Sequence, residues 1–256
     1  MEILAFDLSG KFAHFRKFYT NNTALSFTIP PRTTLMGIVG AILGKPRDTY
    51  YEEFSSDKLR FGIQVRSSIK KTFHRVNYLK VEDNHDFRGK KDHVQIPVEL
   101  ITGNDVARDN VRFRIYIAPC DNNNQSFELL KQALISNKIC YNITLGTANH
   151  SATLENITLF EEKDIEAIHV ENEFINLHSA CNSENVSGLQ FEKENQYNFI
   201  EEELMPADFK ANYDREVVKM NRVIYTTGNL PLTAKLTGTI YKLQDQDQTV
   251  NIQFLE

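Results

Sequence analysis

The chain has 256 residues, 41% hydrophobic and 25% charged, with eleven glycines and seven prolines, a composition that supports a packed core and excludes a low-complexity chain. Its formal net charge of −5, averaged over the whole, argues against a nucleic-acid partner because an acidic protein repels a polyanion. The average hides an asymmetry: residues 1–120 carry 19 Lys and Arg against 13 Asp and Glu (+6), and residues 121–256 carry 10 against 21 (−11), so a phosphate backbone could be met on one side only.

The N-terminal MEILAFDLSG lacks a basic stretch ahead of an apolar run, which predicts no secretory signal and a cytoplasmic protein. EILAFDL (2–8) suits a first strand. TTLMGIVGAILG (33–44) reads as a helix with Thr33 or Thr34 as N-cap and Gly44 as its stop, Pro46 blocking continuation. Its apolar run LMGIVGAIL spans nine residues, far short of the roughly 20 that cross a membrane. Strands follow at RFGIQVRS (60–67) and VRFRIYIAP (111–119), both alternating. Between them, residues 70–97 read as a long hairpin with a polar tip, EDNHDFRGKKDH. NQSFELLKQALISN (124–137) is a second amphipathic helix, with Phe127, Leu130, Ala133, Leu134 and Ile135 as candidates for its buried face. A further strand could lie at 154–160 or 165–175.

This order, strand, helix, strand, strand, helix, strand, is that of an α+β, ferredoxin-like (RRM-like) domain with an inserted hairpin. It occupies residues 1–172. Residues 173–256 turn acidic and Asn-rich before the strand-like RVIYTT, AKLTGTIYKL and TVNIQFL, which predicts a small β-rich C-terminal subdomain. Cys120, Cys140 and Cys181 form no CxxC pair, so neither a disulfide framework nor a zinc knuckle is indicated and no cofactor or metal is expected.

Candidate site residues concentrate near the beginning. Phe12, Phe15, Phe18 and Tyr19 alternate with Lys11, His14, Arg16 and Lys17. Rings stack on unpaired bases and cations neutralise phosphates, the two parts of a single-strand RNA site. Phenylalanines spaced by three can equally be core anchors. After Pro30 and Pro31, the start of a helix presents free N–H groups at Thr33 and Thr34, and Arg32 offers a guanidinium fork beside them. Gly37 and Gly40 fall inside the helix and make no nucleotide-binding fingerprint, reading instead as small residues for close packing. At the hairpin tip, Arg88, Lys90 and Lys91 form a cationic finger diluted by Glu82, Asp83, Asp86 and Asp92. No metalloprotease or nucleophile-elbow motif occurs. His14, Tyr19, His74 and His93 are the only candidates for acid–base chemistry, and no catalytic residue is assigned.

AHFRKFYTNNTALSFTIPPRTTLMGIVGAILG, followed by the hairpin and by LGTANHSA (145–152), resembles the fifth Cas family of CRISPR-associated proteins, particularly its subtype I-B branch. The resemblance implies a RAMP-type subunit of the Cascade surveillance complex, taking part in antiviral defence. It would cap the crRNA by gripping its 5′ handle and would contact the large subunit and backbone subunits, with target DNA met only through the complex. Residues 70–97 would be the thumb, and the rings and cations at 11–19 with the helix start at 32–34 would cradle the handle. A sister branch in subtype I-C cuts precursor crRNA with a tyrosine and an adjacent lysine and histidine. This chain has no Lys-His pair, the nearest approaches being Lys91-Asp92-His93 and Lys71-Thr72-Phe73-His74. That departure favours a binding subunit over a metal-independent endoribonuclease; a protein-only adaptor is the third reading.

Overall fold

The structure is a computed structural model that describes residues 1–89, 92–191, 199–210, 215–245 and 248–256. The first part of the chain runs through β1 (Ile3–Gly10), β2 (Phe12–Ala13), β3 (Phe15–Arg16), β4 (Ser26–Phe27), α1 (Arg32–Leu43), β5 (Leu59–Val65), β6 (Ile69–Leu79), β7 (His93–Gly103) and β8 (Val111–Pro119). Then come α2 (Gln125–Ile135), β9 (Ala152–Phe160), β10 (Ile165–Leu177), β11 (Cys181–Asn182), β12 (Val186–Leu189), β13 (Ile200–Phe209), β14 (Val217–Thr226), β15 (Leu232–Asp245) and β16 (Gln248–Ile252).

Four strands form an antiparallel sheet in the order β5-β8-β1-β9. Every residue of β1 is buried, because the pleat sends alternate side chains to two covered faces. Leu4, Phe6 and Leu8 enter the core with Phe61, Ile63, Phe113 and Ile115, under Leu35 and Val39 of α1 and Phe127 and Leu130 of α2. Ile3 and Ala5 point the other way and pack with Tyr116, Tyr241, Leu243, Val250 and Phe254. Strands β15 and β16 thus cover the sheet face opposite the helices. The same buried face holds an ion pair between Arg114 and Asp7 at 3.0 Å, with Asp245 at 3.3 Å from the guanidinium.

Helix α1 begins one residue earlier than the sequence pattern predicts, and neither Thr33 nor Thr34 caps it. Pro31 is the N-cap, without a side-chain bond; its ring fixes φ, and its carbonyl accepts from Thr34 N at 2.9 Å and Leu35 N at 3.2 Å. Gly44 ends the helix at φ +70° as expected. The Tyr50 ring lies against Gly40 so closely that an added methyl group would sit 2.8 Å from it, the close packing read from the sequence. Helix α2 is capped by Asn124, whose Oδ1 accepts from Phe127 N at 3.0 Å. Its buried face is Phe127, Leu130 and Leu134, whereas Ile135 is exposed.

Both candidate positions for the later strand are strands: β9 closes the sheet beside β1, while β10 pairs with β15. The hairpin is β6 and β7, in register from Ile69 opposite Gly103 to Leu79 opposite His93, somewhat longer at its base than the sequence suggested. The far end of the chain returns to the first sheet, where Leu255 N donates to Phe61 O and Ala180 N to Ile63 O. Among the described residues, no helix is long and apolar enough to cross a membrane.

Candidate nucleic-acid interface

Residues 11–28 are stitched down by short ladders rather than by one long element. Phe12 and Ala13 pair with Thr102 and Ile101 of β7, and Phe15 and Arg16 pair with Phe27 and Ser26. Glu99, buried on β7, accepts from Ser26 N through its carboxylate at 2.8 Å, and its carbonyl takes His14 Nδ1 at 2.7 Å. A carbonyl only accepts, so His14 Nδ1 carries the proton. On the other side, His14 N donates to Leu145 O at 3.0 Å. Gly146 sits beside this contact at φ +97°, and any Cβ there would collide with the His14 carbonyl oxygen, so only glycine suits both the backbone and the space.

This stitching divides the predicted site residues. His14, Phe15, Arg32 and Thr33 are buried, so none of them stands on the open surface, although His14, Phe15 and Thr33 line the recess beside α1. Phe15 packs on Phe113 in the core. Arg32 is 2% exposed; its two terminal guanidinium nitrogens find acceptors inside the protein, while Nε has no partner among the described residues. Arg32 donates to Asp208 Oδ1 at 2.5 Å, Ala207 O at 3.1 Å, Phe54 O at 2.8 Å and Leu59 O at 2.7 Å, and it lies over the Phe61 ring. Burial pulls its pKa down, and Asp208 offsets only part of that. Arg32 is therefore a structural clasp between the helix start and β13, not a fork for phosphate.

Arg16, Phe18 and Tyr19 are exposed. Phe18 and Tyr19 meet edge to face at 5.2 Å, and Tyr19 leans on Phe27. Lys11 is half-buried, its ammonium donating to the Ala107 and Asp109 carbonyls at 3.1 Å each. Lys17 donates to Glu203 Oε1 at 2.7 Å and lies over the Phe27 ring. Glu203 also takes Lys71 at 3.2 Å, while its Oε2 accepts from Thr28 N at 3.0 Å and the Tyr225 hydroxyl at 2.7 Å. Burial alone would raise the Glu203 carboxyl. Lys17, Thr28 N–H, Tyr225 and Lys71 outweigh it and hold the group below its ordinary value. Burial and the neighbouring carboxylates push the Tyr225 hydroxyl well up, so it stays a donor.

A cleft of about 770 Å³ opens where these segments meet. It is lined by His14, Phe15, Arg16 and Phe18, by the start and one face of α1, including Pro31, Thr33 and Thr34, and by residues of the loop 142–147. Helix α1 has no acidic residue of its own in its first turn, so that turn does nothing to offset its partial positive end. Arg16 has no ion-pair partner among the described residues. Arg215, Tyr50, Tyr51 and Phe209 complete the cleft. Sequence reasoning missed these four: Arg215 is set by Asp48, whose Oδ1 accepts its Nε at 2.9 Å and the Tyr51 hydroxyl at 2.5 Å, a pairing across 167 positions that no local pattern announces.

The hairpin tip is built around an acid. Asp86 is buried, and its carboxylate accepts from Glu82 N and Asp83 N at 2.6 and 3.0 Å. Arg88 is exposed there; Lys90 and Lys91 lie outside the described residues. The four acid–base candidates do not form one site. His14 is buried, and His74 and His93 stand opposite Val98 and Leu79 of the hairpin ladder, about 17 Å apart at strand spacing.

Residues 3–116 match the family model described as CRISPR-associated protein (Cas_Cas5). Among solved structures, the chain is similar to a crystal structure of a CRISPR protein from Archaeoglobus fulgidus, with a TM-score of 0.55 at 11% identity over 98% of each chain. It is also similar to a chain from a CRISPR RNA-guided surveillance complex, with a TM-score of 0.50 at 11% identity over 90% of this chain and 91% of that one. At such identities these likenesses show the fold alone. A search of curated proteins found no match.

Proposed function

Taking as premise that the chain belongs, through residues 3–116, to the CRISPR-associated Cas5 family, we propose that it is a non-catalytic RNA-binding subunit of a type I Cascade, of subtype I-B. It holds the 5′ handle of the crRNA in the cleft between residues 14–18, the start of α1 and the loop 142–147. The four-strand order is read as a ferredoxin-like sheet and the β6–β7 hairpin as its thumb, which meets a backbone subunit.

The observation that carries this reading is the composition of the cleft. An arginine with no ion pair among the described residues, an exposed ring and a helix start with no acidic residue of its own converge on one recess, supplying charge neutralisation, stacking and N–H donors to one strand. The alternative surface is closed: RRM-type domains stack bases on the open sheet face, and here β15 and β16 cover it. The known RNA-guided setting of one structural neighbour agrees with this partner.

Filter binding of the purified protein to repeat-derived RNA in EDTA tests both halves of the proposal. The expected result is saturable binding with intact RNA, weakened by Arg16→Ala and Phe18→Ala. Site-specific cuts would show an endoribonuclease instead, and failure to retain any RNA would leave a protein-only adaptor.

A further inference from the structure

We propose that the foot of the hairpin holds a second nucleotide site, separate from the cleft, which takes an unpaired nucleotide whose base edge offers two adjacent N–H donors, as guanine does. The inference rests on the RNA-binding reading above and adds a base-reading position to it. The site is a recess of about 510 Å³ between Lys70 and Lys71 of β6, Phe199, Glu201 of β13, Thr28 and Asn104.

The recess is held in shape by hydrogen bonds. Ile69 N donates to Thr227 O at 2.9 Å, Thr227 N donates to Phe199 O at 2.8 Å, and Phe199 N donates to Thr227 Oγ1 at 3.2 Å. The hairpin foot and Phe199 are thereby fixed relative to each other. The Phe199 side chain is nevertheless 64% exposed, an apolar ring left in water at the edge of a polar hollow. Such a ring offers a stacking surface to any base.

Charge decides the class of occupant. Among the described residues, Lys70 gives its ammonium only to the Asn104 carbonyl, at 2.6 Å, a neutral acceptor that leaves the full charge. Lys71 and Lys17 share the single carboxylate of Glu203. Among the described residues, the recess and the ion pairs behind it bring the three ammoniums of Lys17, Lys70 and Lys71 to the two carboxylates of Glu201 and Glu203, a balance that attracts a phosphate and repels a cationic side chain. An arginine from a protein partner carries the same forked donors as guanine but meets that repulsion.

Glu201 supplies the base reading. Its Oε2 accepts from Thr28 Oγ1 at 2.6 Å and the Tyr225 hydroxyl at 3.1 Å, which fixes the carboxylate and leaves Oε1 without a partner among the described residues. A positioned carboxylate oxygen accepts hydrogen bonds and donates none. Guanine presents N1–H and N2–H side by side. Adenine and cytosine place a lone pair next to their amino group and meet repulsion, and uracil offers a single N–H between two carbonyls.

The test compares a 12-nucleotide oligouridylate carrying one central guanosine with its inosine and adenosine counterparts, each titrated into the wild type, Phe199→Ala, Glu201→Gln and Arg16→Ala. The expected result is that the wild type favours the guanosine oligonucleotide about tenfold over the other two. Phe199→Ala and Glu201→Gln should abolish that preference, while Arg16→Ala should weaken all three alike. Equal wild-type affinity for the three, with Arg16→Ala still weakening them, overturns this site alone. If the wild type binds none of them, the RNA-binding reading falls and this site falls with it. Thermal melting checks that Glu201→Gln is folded; if it is not, Phe199→Ala, which removes an exposed ring, decides the matter by whether the preference survives.

Discussion

Arg16 and Arg32 have the same side chain, lie on the same basic stretch and come to opposite ends. Arg16 stands in solvent at the cleft with no ion pair among the described residues, while Arg32 lies beneath the surface on Asp208 and three carbonyls. The segment 16–19 is anchored locally, by a two-residue ladder, Lys17 N on Leu25 O and Tyr19 against Phe27, and at long range by Lys17 on Glu203. The helix entry is gripped by β13, from the far end of the chain. The contrast separates two uses of a cation: one charge is neutralised within the fold and fixes where the helix starts, and the other is left for a partner. Neither use can be told from the residue type; the position of a single distant aspartate decides.

The contrast breaks most sharply in stability. Arg32→Ala should cost about 3–5 kcal/mol, the loss expected when one member of a buried pair is removed and Asp208 is stranded. Arg16→Ala should change stability by less than about 0.5 kcal/mol, as exposed substitutions do. Urea unfolding of the two variants checks this, and equal losses would erase the distinction between clasp and contact. The double replacement Arg32→Met with Asp208→Asn sharpens the point. If stranding is the main cost, the pair should lose less than Arg32→Ala alone.

A smaller effect belongs to Glu203, which ties the exposed loop to the hairpin foot through Lys17 and Lys71. Its folded pKa lies below the ordinary 4.5, so its contribution is complete above that value and is lost as pH falls through the folded pKa. Glu203→Gln should lower stability by about 1–3 kcal/mol at neutral pH, in line with charge-assisted hydrogen bonds. The gap to the wild type should then narrow as pH falls below about 4.5, which pH-dependent melts would show. A gap unchanged from pH 7 to pH 3 would mean that the carboxylate charge contributes nothing.

The fold was legible where patterns are local. Alternation in VRFRIYIAP (111–119) and the stop at Gly44 gave elements that form close to the expected places. The helix start was misread because a threonine is the usual cap, whereas here the rigid Pro31 carbonyl receives the first N–H groups. The site was legible only in part. Rings and cations at 11–19 could be seen, but not their division between core and cleft, since a two-residue ladder alternates Phe15 inward and Arg16 outward without a long periodic signature. Glu203 lies in EEEL (201–204), which reads as a solvated acidic face, and Glu203, Asp208 and Arg215 each have a partner more than 130 positions away that no local pattern announces. The covered sheet face was equally hidden: nothing in the alternation of β15 says which sheet it will lie against.

The smallest expected effect is the one that bears most directly on function. If Arg16 neutralises one phosphate of a single strand, its removal releases one fewer counterion on binding, and the slope of log affinity against log salt should become shallower by about 0.7. The accompanying loss of affinity should be about 1 kcal/mol near physiological salt, typical of one exposed charge contact. Arg32→Met with Asp208→Asn serves as the control, because a charge sealed inside the protein releases no counterion and should leave the slope unchanged. Binding titrations at four salt concentrations measure both. A slope that responds to the buried pair and not to Arg16 would reverse the assignment, making the helix entry the contact and the exposed loop a bystander.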